Sequence, residues 1–188
     1  MDSNVLAAQK YLNAMFGGHP NWVSLTENGN TGTYTMEGII RAFQIHNNVS
    51  NVTGTLGPLT ITAMKRIPNI TKMSPDDQAN VNVCLIQCAL FCKGYMAGGI
   101  TGIYYNAGVA AVKAMQGDAG LSVTGTIDWK VWAGLLSLNW FTIVEGGHST
   151  VRLIQRQLNA DWSDVIGVGP CDGVMCKRQS KHAYNKNI

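Results

Sequence analysis

The chain has 188 residues, 46% apolar and only 13% charged, against roughly 25% charged in an ordinary soluble domain. That balance excludes a disordered tail, and the length excludes a single catalytic barrel of about 250 residues; a sizeable core in one or several small domains is expected. The formal charge of +3 is concentrated at the end, in Lys177, Arg178, Lys181 and Lys186, while the rest carries 10 basic and 11 acidic residues, which argues against a nucleic-acid surface of clustered Lys and Arg.

Residues 1–10 lack a basic stretch followed by an apolar run, and nothing approaches the about 20 apolar residues that span a bilayer, so neither a secretory signal nor membrane insertion is expected. Val5, Leu6, Tyr11 and Leu12 then recur at helical spacing around Gln9. The turn Glu27-Asn28-Gly29-Asn30-Thr31-Gly32 leads to a second helix from Thr35 to His46, with Thr35 read as its N-cap. That helix ends in Ala42-Phe43-Gln44. Val52-Thr53-Gly54-Thr55 forms the next turn, before a short helix from Leu59 to Met64. Pro68 and Pro75 bound a linker, and Asp76 and Asp77 are expected at the following helix start, where acids favour the dipole.

From there the pattern begins again. Val83, Leu85, Ile86 and Leu90 surround Gln87 and read as an amphipathic helix; a Gly-rich turn follows at Gly98-Gly99-Ile100-Thr101-Gly102. A helix from Asn106, read as N-cap, to Asp118 ends in Ala114-Met115-Gln116, then Val123-Thr124-Gly125-Thr126 precedes a helix from Val131 to Leu136. A third start around Gln155 is followed by Cys171-Asp172-Gly173 and then by the basic end. Thr53, Gly54, Thr60, Thr124 and Gly125 are read as turn-forming and capping residues, and Trp132 as core.

The chemistry-bearing residues are sparse. Cys84, Cys88 and Cys92 fall on one helical stripe, and five cysteines make a disulfide framework an unsuitable reading. The stripe could be read as soft-metal ligands, but His is absent nearby and the neighbours are apolar, so these cysteines are read as small buried hydrophobes. Cys171 and Cys176 are a weak pair signal. His19, His46, His148 and His182 are scattered, the 11 acids offer no catalytic pair, and no turn has the lysine of a phosphate loop. No metal, cofactor or catalytic residue is expected, and the chain is not read as an enzyme.

The repeated order resembles the peptidoglycan-binding-domain repeat. It is carried by Gln9, Leu12, Asn13, Asn28, Gly29, Gly32, Thr35, Phe43, Gln44, Thr53, Gly54, Thr55, Gly57 and Thr60. The second copy departs from it, with Met115 where Phe is expected and Asp128 where Gly is expected. The resemblance implies an all-α fold of tandem three-helix units with Gly-rich turns, at 1–68 and 75–140, plus a C-terminal half-repeat at 149–188, which cannot close its own core and is expected either to dock on unit two or to be partly disordered. The arrangement is also similar to the N-terminal region of endolysin-like bacterial and phage cell-wall proteins, where such repeats precede a glycoside-hydrolase-like barrel; nothing here resembles that barrel. The implied role is a non-catalytic module that binds peptidoglycan, through its glycan strand or stem peptide, for a lytic or remodelling system, reaching the wall after lysis or non-classical release.

Such recognition uses exposed aromatics together with amides and hydroxyls. The candidates are Tyr34, Asn28, Thr31, Gln44 and Trp22 in unit one, and Tyr104, Tyr105 and Trp129 in unit two. The competing reading is a protein-interaction or assembly scaffold, self-associating through the apolar surface of the incomplete third unit.

Overall fold

A computed structural model describes residues 2–118 and 121–137. These residues form α1 (Ser3–Phe16), α2 (Thr33–His46), α3 (Pro58–Arg66), α4 (Val81–Cys92), α5 (Asn106–Asp118) and α6 (Trp129–Leu136). The fold is all-α: among the described residues the extended backbone pairs only at an isolated antiparallel bridge, Ile70 with Ile127. No helix among them is long and apolar enough to cross a membrane. The expected third unit, with Cys171, Cys176 and His182, lies outside the described residues, as does His148.

Side-chain caps open three of the helices. Asp2 accepts from the Asn4 and Val5 N–H groups, Asn80 from Asn82, and Asp128 from Lys130 and Val131, each satisfying donors that a first helical turn leaves unpaired. Pro58 opens α3, where its missing N–H costs nothing.

Three expected starts are corrected. Asn106 is the first residue of α5 and not its N-cap. Thr35 is not the N-cap of α2: the helix begins at Thr33, after Gly32 with no side-chain cap, and Thr35 is buried with its hydroxyl turned inward to the Asn30 carbonyl. Asp76 and Asp77 do not open α4. The Asp77 carboxylate instead closes a turn by accepting from the Ser74 N–H at 2.7 Å. Helix formation waits until the chain has passed Gly102, against which it lies so closely that a Cβ there would come within 2.8 Å of Ala79.

One hydrophobic core runs through all six helices. At its centre, Val83 to Cys92 are all buried, so α4 is apolar all round rather than amphipathic as the spacing suggested. That pattern marks a helix enclosed on every side, and α4 packs on α1 and α2 as well as on α5 and α6. Across the same junction the Phe43 and Trp132 rings meet edge-on at 5.0 Å, and the Asn47 and Asn82 amides bond at 3.0 Å. Cys84, Cys88 and Cys92 are free and buried. Burial holds the Cys88 thiol well above its ordinary range and pushes Cys92 up to about 12, so both remain protonated, packed as small apolar groups.

Candidate functional site

The turns around the site are built by one device, used four times. Buried Gln9 on α1 directs its amide at the Asn28–Asn30 turn: Oε1 accepts from the Asn28 and Gly29 N–H groups at 3.0 and 2.8 Å, and Nε2 donates to the Asn30 carbonyl and the Thr35 hydroxyl. On α2, Gln44 Oε1 accepts from Thr53 and Gly54, while Nε2 donates to the Thr55 carbonyl and the Thr60 hydroxyl. Gln87 holds Thr101, Gly102 and Ile103 in the same way. Gln116 holds Gly125 and Thr126. The turn glycines Gly29, Gly54, Gly102 and Gly125 have φ of 67°, 74°, 74° and 72°, the left-handed region that a Cβ disfavours. The entering chain completes the device in each unit, with the Asp2 N–H donating to the Gly29 carbonyl and the Asn80 N–H to that of Gly102.

In unit one this frame borders a cleft of about 440 Å³. Val23 to Thr26 form one wall, the Asn28–Gly32 turn closes an end, and Tyr34, Glu37, Gly38 and Arg41 of α2 form the other wall. The loop is clamped by Asn13, whose side chain accepts from the Leu25 N–H at 2.8 Å and donates to the Leu25 carbonyl at 2.9 Å. Leu25 then rests on Gly38, where a Cβ would lie 2.7 Å from its methyl group. At the mouth, Tyr34 is 84% exposed. Thr31 donates to the Cys92 carbonyl at 3.3 Å, tying the rim to α4 of unit two.

The corresponding hollow in unit two is smaller, about 290 Å³, and its lining includes Pro75, Ala97, Ile103, Tyr105 and Ala107, with no charged residue. Loop length is the cause. Gly29 follows Gln9 by 20 residues, whereas Gly102 follows Gln87 by 15, and the additional residues in unit one make its outer wall. Counting back from the glutamine near each helix end, Asn106, Val109 and Lys113 stand where unit one has Tyr34, Glu37 and Arg41.

The structure brings three of the expected binding residues together: Tyr34, Asn28 and Thr31 line the larger cleft. Trp22 sits beneath the loop, its ring 5.6 Å from that of Phe16 and its Nε1 donating to Asn13. Tyr105 borders the smaller hollow with the Lys72 ammonium 4.6 Å from its ring centre. Trp129, 37% exposed at the start of α6, lines neither and carries the Lys65 ammonium 4.8 Å from its ring centre. Two expectations are corrected by burial. Gln44 is 1% exposed and committed to the Thr53–Thr55 turn, and Tyr104 is fully buried with its hydroxyl donating to the Gly125 carbonyl, its desolvated phenol held above its ordinary pKa. Glu37 and Arg41 were missed, since charges on a helix face read as solvated; only the turn opposite reveals that they line a cavity.

A family model described as "Putative peptidoglycan binding domain" matches residues 1–64 and 80–135, more than half of the chain. Two proteins of Bacillus subtilis (strain 168) are similar along nearly its whole length: uncharacterized protein YbfG, 35% identical over 182 residues, and uncharacterized protein FadG, 34% identical over 184. Each alignment covers 96% of this chain but 24% and 32% of those proteins, so the chain spans about a quarter to a third of their length. No solved structure gives a significant match.

Proposed function

The chain belongs to the peptidoglycan-binding-domain family, and from that premise we propose that it is a non-catalytic module holding a lytic or wall-remodelling system at the bacterial cell wall, with the unit-one cleft as its contact surface. The observation that carries this reading is the cleft itself: an exposed aromatic, hydroxyls, an amide and two charges converge on one concavity whose frame is locked by Gln9 and Asn13. Concave, preorganised sites with a few placed polar groups are the usual form of small-ligand recognition. Unit two keeps the frame but lacks this lining, and it serves as a brace through the Thr31 contact.

The test is sedimentation of the protein with purified sacculi from Gram-positive and Gram-negative bacteria, following both depletion of soluble protein and turbidity. Depletion without loss of turbidity is expected. Tyr34→Ala should weaken binding about tenfold, the loss of one aromatic contact of about 1.4 kcal/mol. Clearing of the suspension would sink the non-catalytic reading, and no depletion by any sacculus would sink wall binding. The scaffold alternative rests on residues 149–188, and no observation among the described residues favours it.

A further inference from the structure

We propose that the unit-one cleft reads the peptide of peptidoglycan rather than its glycan strand, with Arg41 receiving a free carboxylate and Glu37 a free amine. The inference rests on the assignment of the cleft made above. Glu37 and Arg41 stand one helical turn apart on α2, a spacing at which acid and base on an exposed helix commonly pair. Here they do not pair. Among the described residues the Glu37 side chain makes no hydrogen bond or ion pair, although it is half-buried in the cleft wall. Arg41 is held from the far side by the Thr53 carbonyl, which accepts from Nη2 at 3.3 Å. That bond uses one of the five guanidinium donors, leaving the remainder for a carboxylate.

The cleft therefore offers separated negative and positive groups, which is the complement of a zwitterion. An N-acetylated glycan strand, even with the lactyl carboxylates that loss of the peptide exposes, has no cation for Glu37 and would desolvate its carboxylate without a partner. A stem peptide before cross-linking carries both a free side-chain amine and a terminal carboxylate. Beside the charges, in the same cleft, Val23 and Tyr34, 58% and 84% exposed, offer apolar contact for aliphatic side chains. Unit two retains a cation at Lys113 but has Val109 in place of the acid, so the charge pair is particular to unit one.

The experiment is calorimetric titration of the whole chain with four ligands prepared from the same sacculi: uncrosslinked disaccharide-peptides, the same with the amine acetylated, the same with the carboxylates amidated, and peptide-free glycan strands. Intact disaccharide-peptides should bind, and either chemical block should weaken binding at least tenfold. Glu37→Gln should lower affinity for the intact ligand to that of the acetylated ligand while leaving the acetylated ligand's affinity unchanged, a selective effect that general unfolding would not produce. Arg41→Lys should weaken the intact ligand and leave the amidated one unchanged. Peptide-free strands bound as tightly as disaccharide-peptides, or indifference to both blocks, would overturn the inference while leaving wall binding intact. Failure to bind sacculi at all would overturn the module reading itself.

Discussion

A glutamine amide beneath a left-handed glycine turn supplies both the acceptor and the donor that the turn cannot find in itself. Replacing Gln44 by Leu would orphan the Thr53 and Gly54 N–H groups, and unmet buried donors cost about 1–3 kcal/mol each. Gln44→Leu should therefore lower the urea midpoint by the equivalent of about 2–4 kcal/mol with an unchanged slope. Gln116→Leu should cost less, because its carbonyl holds one N–H, that of Gly125. The glycines give a paired test. Gly54→Ala places a Cβ 2.9 Å from the Arg41 guanidinium at φ 74° and should destabilise by about 1–3 kcal/mol. Gly18→Ala, in the turn after α1, outside the left-handed region and with nothing within 4 Å, should stabilise by about 0.4–1 kcal/mol. Thermal denaturation of the two variants separates these signs. The repeated Thr-Gly-Thr segments were legible in the sequence because each turn needs the same backbone angles. The inward turn of the glutamines was not, since a glutamine on a helix has no spacing signature that tells a clamp from a solvated side chain. Tyr34 and Tyr104 show the same limit: both lie close after a Gly-rich turn, and only the three-dimensional path of the preceding loop decides that one is exposed and the other buried.

The helices themselves were read to within a few residues, because apolar periodicity reports which face is buried. Where burial has no face, as on α4, the signal fails: the continuous run Val83 to Cys92 gives no direction, and its contacts with α1 and α2 depend on partners distant in sequence. This element yields its own prediction. With Cys171 and Cys176 replaced by Ser, a thiol reagent should label Cys84, Cys88 and Cys92 only as fast as the helix is exposed by unfolding, and at once in denaturant. Rapid labelling of the native chain would contradict the enclosure of α4. Cys88→Ser, which places a hydroxyl where the thiol is 0% exposed, should lower stability by about 1–3 kcal/mol in chemical denaturation.

At the scale of the molecule, the first three helices and the next three do not behave as beads on a string. The core is continuous, and the Phe43–Trp132 contact and the Asn47–Asn82 bond cross the junction. Fluorescence of single-tryptophan variants that keep either Trp22 or Trp132 should report coincident unfolding transitions, the mark of one cooperative unit; separated transitions would show that the halves melt independently. The sequence repeat divides the chain at the linker, with three helices on either side, but a repeat says nothing of how tightly its copies fuse.

The contrast between the 20-residue and 15-residue spans gives this architecture a further property. Gln9 and Gln87 grip their turns through the same atoms although the intervening segments differ in length, so the grip does not depend on what is strung between. The frame is in that sense a socket and the segment a cartridge. Transplanting Gly17–Glu27 of the first copy into the second, ahead of the Thr101–Ile103 turn, together with Asn106→Tyr, Val109→Glu and Lys113→Arg, should equip one chain with two adjacent recognition sites. On a surface where ligands recur, such a chain would be retained by simultaneous engagement, with a gain that no single site can reach.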